Sequence, residues 1–190
     1  MTTATTLAAR IWPRTAANTL PRALALILAG SILLAVSAHV KVPFWPVPMT
    51  MQTFVVLMIG ATYGWRLAGT TLVAYLIEGV AGLPVFTGGV GPLYMAGPTG
   101  GYLVGFAISA IVAGWLVERG MTRRPVGALL TFLFADALVF VLGVGYLSTL
   151  IGMDKAIAGG LLPFLAGEAL KIVLATALTV AVSPSLRRAG

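Results

Sequence analysis

Long apolar runs separated by short breaks dominate the chain. A bilayer core about 30 Å thick takes roughly 20 apolar residues as a helix. Runs of this kind fall at 20–40, 49–64, 65–83, 99–118, 126–147 and 161–182, the second of them short. The pattern predicts an all-α, polytopic membrane protein of six transmembrane helices over residues 20–182. Residues 1–19, rich in Thr and Ala, read as a cytoplasmic or interfacial tail, and 183–190 as a second cytoplasmic tail.

Charge placement orients this map, because Arg and Lys resist translocation. With the N-terminus inside, the inner segments carry Arg10, Arg14, Arg22, Arg66, Arg119, Arg123, Arg124, Arg187 and Arg188, whereas the outer ones carry only Lys41 and Lys155. Every arginine then lies on one side, and both termini are cytoplasmic. A competing reading takes the basic start, the apolar run from Ala23 and the small pair Ser37-Ala38 as a cleaved signal peptide, leaving five spans. The run exceeds the usual apolar region of about 7–15 residues, which favours a retained span.

Composition agrees. Of 190 residues, 59% are apolar and 9% charged, against about 45–50% and about 25% in a soluble domain. Seventeen charged side chains (12 basic, 5 acidic) cannot cover a soluble surface, and the mean hydropathy is +1.02. The net charge of +7 therefore reads as membrane topology and not as a nucleic-acid footprint. No cysteine is present and His39 is the sole histidine, so disulfides, thiolate or histidine-cluster metal sites and Ser-His-Asp chemistry are excluded. No hydrophilic stretch is long enough for a nucleotide-hydrolysing domain. The run Gly97-Pro-Thr-Gly-Gly-Tyr102 lacks the G-K-[ST] ending of a phosphate loop. Any ATP-driven work falls to another chain, and no catalytic residue or cofactor is expected in this one.

Polar groups at membrane depth are costly and mark function by default. Gln52, Glu78, Asp136, Glu168 and Lys171 are the candidates; at 1.5 Å per residue, all but Asp136 fall in the outer half. Glu168 and Lys171, at i,i+3, project from one helical face. They read either as a neutralised ion pair or, preferably, as a ligand site. Asp136 can equally bond a neighbouring helix, and Glu78 can be solvated near the interface. Two outer loops stand out. Val42-Pro-Phe-Trp-Pro-Val-Pro48 predicts a stiff extended segment with Phe44 and Trp45 as belt or lid aromatics. The stretch 82–101 holds seven glycines and three prolines with no charge. Irregular backbone near membrane depth is tolerated beside protein or a cavity, so this stretch predicts a pocket wall. Gly97, Gly101 and Gly105 are spaced for close helix packing, as are Ala25 and Ala29 on the first span.

Gly82-Leu-Pro-Val-Phe86, Gly88-Gly89 and Gly97-Pro-Thr-Gly-Gly-Tyr-Leu-Val-Gly-Phe106 resemble the BioY family, the biotin-specific substrate-binding (S) components of energy-coupling factor (ECF) transporters. Val42-Pro-Phe-Trp-Pro-Val-Pro-Met-Thr-Met-Gln-Thr-Phe54 is similar to that family's first loop and second span, and Leu162-Pro-Phe-Leu-Ala-Gly-Glu-Ala-Leu-Lys171 to its sixth-span motif. The resemblance covers roughly residues 20–182. It implies a six-helix plasma-membrane protein that captures biotin from outside and works with a transmembrane coupling subunit and two ATP-binding-cassette (ABC) ATPases. It also implies a pocket lined by Gln52, Gly100, Gly101, Tyr102, Glu168 and Lys171, with Ala25 and Ala29 on the docking face; Glu78 and Asp136 are further candidate substrate contacts on their depth alone. One departure is that the family usually has Asp where this chain has Glu168. An autonomous ion-coupled transporter, and an S component for thiamine or riboflavin, are the alternatives. A cationic vitamin is a poor match to a deep lysine.

Overall fold

The computed structural model describes residues 19–187, with side chains to Val182. Arg10, Arg14, Arg188 and nearly all of the expected N-terminal tail lie outside the described residues.

The chain is mostly helical. Helix α1, Thr19–His39, carries Pro21 in its first turn, where backbone N–H groups lack intrahelical partners anyway. It ends in a two-residue strand, β1 (Lys41–Val42), paired antiparallel with β2 (Met49–Thr50) in the register Lys41↔Thr50 and Val42↔Met49. The proline-rich segment expected to be extended throughout is thus the turn of a small hairpin. Helices α2 (Gln52–Tyr63) and α3 (Trp65–Val80) follow. Only Gly64 separates them, at φ +79°, a left-handed conformation that side-chain-bearing residues rarely adopt.

The second apolar run therefore supplies a helix of 12 residues, about 18 Å long, because Met49 and Thr50 are taken into the hairpin. The third run ends early, at Val80, and the glycine-rich stretch then forms turns around a five-residue helix, α4 (Gly91–Met95). Helix α5, Gly100–Glu118, begins after Gly97, which lies in the preceding turn and not on the helix. Helix α6, Pro125–Ile151, runs past the expected end of its span. An eight-residue helix, α7 (Met153–Gly160), occupies what read as a loop. Pro163 sits in a single 3₁₀ turn, so the last long helix, α8, starts at Leu165 and continues to Arg187.

Among the described residues, four stretches are long and apolar enough to cross a membrane: Thr19–His39, Gly100–Glu118, Pro125–Ile151 and Met153–Val182. Helix α5 is the most buried of them and packs against α2, α3 and α6. Its small residues permit this: Gly105 lies against Val139 of α6, and Ala110 and Ala113 are fully buried. One core cluster joins Val56, Leu72, Tyr75, Phe106 and Val139; a second joins Leu57, Ala113, Phe132 and Ile172. Outward faces stay apolar, with Leu24, Leu28 and Ile32 on α1, Phe134 and Val141 on α6 and Leu170 and Val173 on α8 all exposed. Such faces suit lipid and not water.

The two ends of the bundle differ. At the α2–α3 joint, Arg66 lies 5.0 Å over the Trp65 ring, and at the end of α5, Arg119 lies 3.5 Å over Trp115. These sites meet where Gly114 packs against Trp65. The opposite end carries the hairpin, the glycine-rich roof and α7, whose Gly159 abuts Pro46.

Candidate functional site

Beneath the hairpin and the glycine-rich roof, six parts of the chain converge on a small cavity of about 40 Å³. The hairpin gives Val47, Pro48 and Thr50, and the first turn of α2 gives Gln52 and Thr53. The glycine-rich stretch gives Thr87, Tyr94 and Thr99. Helices α5 and α6 give Tyr102, Leu103, Phe106, Val139 and Phe140, and the final segment gives Phe164 and Glu168. A wider vestibule of about 450 Å³ shares Pro48, Thr87, Tyr94 and Thr99 with the cavity. Sites for small organic ligands usually enclose roughly 300–1,000 Å³. The inner cavity alone is too small for such a ligand, and one seated there extends into the vestibule.

Two aromatic chains stand around the cavity, which Tyr94, Tyr102, Phe140 and Phe164 line and Tyr75 and Phe86 back from behind. On one side Tyr75 meets Phe86 edge-on at 5.5 Å, and Phe86 stacks on Tyr94 at 5.3 Å. On the other, Tyr102, Phe140 and Phe164 meet edge-on at 6.0 and 5.9 Å. Their polar tips are fixed: the Tyr102 hydroxyl donates to the Gly160 carbonyl (2.8 Å), and Tyr75 donates to the Val85 carbonyl while accepting from Gln52 Nε2, both at 2.8 Å.

The polar floor is a closed cluster. Lys171 Nζ donates to Glu168 Oε1 at 2.6 Å, to the Thr50 carbonyl at 2.6 Å and to Thr53 Oγ1 at 2.9 Å. Thr53 Oγ1 in turn donates to Glu168 Oε2 at 2.7 Å. An ammonium has three N–H donors, and all three are occupied. Glu168 and Lys171 are 4% and 5% exposed; a buried pair persists only when geometry and added hydrogen bonds offset desolvation, and Thr50 and Thr53 supply those bonds. Each Glu168 oxygen keeps capacity for a second donor, and Glu168 faces the cavity. Asp136 of α6 is buried beside this cluster and interacts electrostatically with both Glu168 and Lys171; its Oδ1 has no hydrogen-bond partner among the described residues.

Of the residues expected at the site, Gln52, Tyr102 and Glu168 line the cavity. Lys171 stands behind Glu168, and Asp136 lies outside the lining. Gly100 and Gly101 do not line it either. A Cβ on Gly100 would strike the Met95 carbonyl, and one on Gly101 would strike Tyr146 Cβ and come within 2.7 Å of the Leu142 carbonyl. These glycines serve the close approach of α5 to α4 and α6. Glu78 is elsewhere, accepting from Ser31 Oγ and so linking α3 to α1. Ala25 and Ala29 are exposed on α1. Sequence reasoning did not single out Thr50, Thr53, Tyr75, Thr87, Phe140 or Phe164. Thr87 carried a signal, as a polar residue within an uncharged glycine-rich stretch.

A family model described as the BioY family matches residues 5–188. A protein of Pyrococcus horikoshii named "probable biotin transporter BioY" is 35% identical over 78% of this chain and 87% of its own length. The "biotin transporter BioY" of Thermotoga maritima is 33% identical over 82% of this chain and 93% of its own. Among solved structures, the S-component for biotin from an ECF-type ABC transporter superposes with a TM-score of 0.77 at 23% identity, covering 89% of this chain and 94% of the other. At that identity the likeness speaks for the fold.

Proposed function

The chain belongs to the BioY family, and from that premise we propose that it is the membrane subunit that binds biotin and mediates its uptake. The observation that carries the reading beyond kinship is Glu168, a buried carboxylate held in place by Lys171 and Thr53 at the floor of an aromatic-walled cavity. Biotin has a ureido ring with two N–H donors, an apolar thioether ring and an anionic valerate tail. The carboxylate accepts from the ureido N–H groups, Gln52 and Thr53 border the same ring, and the two aromatic chains enclose the bicycle. Lys171 acts through Glu168, fixing its orientation and charge.

The rest of the assignment follows from family and topology. The subunit works without catalytic chemistry of its own, in the plasma membrane, with six passes and both termini cytoplasmic. The hairpin and roof then face outward and the arginine-bearing end inward, in keeping with the charge rule. Energy comes from a transmembrane coupling subunit and two ABC ATPases of an ECF transporter, and the exposed Ala25–Ala29 face of α1 is where the coupling subunit docks. Calorimetric titration of the purified subunit with biotin, thiamine and riboflavin tests the ligand assignment. Saturable binding of biotin alone is expected; binding of another vitamin in its place, or of none, overturns the reading.

A further inference from the structure

The vestibule above the cavity carries one charged side chain in its lining, Lys41. Its Nζ donates to the Thr87 carbonyl at 2.6 Å, which uses one of three donors and brings the ammonium against the residue shared by vestibule and cavity. Thr87 is 8% exposed, and its Oγ1 is buried with no hydrogen-bond partner among the described residues. A buried hydroxyl in that state is destabilising until an acceptor arrives. At the far end of the cavity, Glu168 repels any second carboxylate, and Lys171 has no donor left to offset this. A ligand with N–H donors at one end and an anion at the other therefore has one favourable direction.

Resting on the biotin reading of the cavity, we propose that Lys41 and Thr87 hold the ligand's carboxylate tail, with the Lys41 ammonium and the Thr87 hydroxyl both donating to it. The pair sets specificity for an acid over neutral-tailed analogues. It also places the tail towards the roof, where the vestibule has room for it.

The test compares biotin with biotin methyl ester in titrations of the purified subunit. Wild type is expected to prefer the acid about ten-fold, the effect of one charge-assisted hydrogen bond. Lys41→Met and Thr87→Val should each bring the acid-to-ester ratio towards one, while Lys41→Arg and Thr87→Ser keep most of the preference. Acid and ester binding equally to wild type, or a full preference surviving in Lys41→Met and Thr87→Val, overturns the tail site and leaves the cavity assignment standing. Should Lys41→Met or Thr87→Val lose both ligands, Lys41→Arg and Thr87→Ser decide, and the site is wrong if neither shows the acid preference. Failure of wild type to bind biotin at all contradicts the underlying reading instead.

Discussion

Lys171 places all three of its donors on protein acceptors, so its removal acts on the fold as well as on the ligand. Lys171→Met is expected to lower the melting midpoint of the purified subunit by several degrees, since breaking a buried pair costs about 3–5 kcal/mol, and to weaken biotin binding by freeing Glu168. A mutant with wild-type stability and weakened binding would instead place Lys171 on the ligand. Glu168→Asp keeps the charge but draws the carboxylate back by roughly 1.5 Å from Thr53 and Lys171. Its biotin affinity is expected to fall between those of wild type and Glu168→Gln, as read in parallel titrations. The sequence made the i,i+3 pair visible because helical spacing alone brings those two side chains together. It could not show Thr53, whose contact with Glu168 joins residues 115 apart in the chain, nor the Tyr75–Gln52 bond across two helices. Such contacts are products of packing and have no local signature.

Among the elements, the glycines of α5 show how a spacing that marks close approach is used in packing. Their spacing marked a close approach, and the family resemblance placed two of them at the ligand. In the structure, Gly101 is pressed against Tyr146 and the Leu142 carbonyl. Gly101→Ala is therefore expected to reduce thermal stability and yield by parting α5 from α6, whereas Gly145→Ala on α6, with open space around it, should be neutral; helix content and melting midpoints distinguish the two. The apolar runs located the long helices well, because burial in lipid or core demands continuous apolar sequence. Their ends were less legible. The hairpin takes Met49 and Thr50 from the second run through a pairing with Lys41 and Val42, and α7 forms between the fifth and sixth apolar runs. Both depend on contacts with the roof and the neighbouring helix ends.

Across the whole molecule, binding and coupling are expected on separate faces. Ala29→Trp should leave biotin titration unchanged while abolishing uptake and co-purification with the coupling subunit, since the bulky ring prevents close helix contact; retained co-purification would refute the docking face. The chain has no cysteine, so single-cysteine labelling has no background. Lys155→Cys is expected to react with an impermeant maleimide from outside, and Arg124→Cys only after the membrane is opened. The most direct test of the central claim, that biotin binds with its ureido ring on Glu168, is a calorimetric titration of wild type and Glu168→Gln with biotin in detergent or nanodiscs. A neutral amide accepts a weaker bond than a carboxylate, so the account predicts one-to-one binding that weakens about ten-fold or more in Glu168→Gln. Equal affinities in a folded mutant would contradict it.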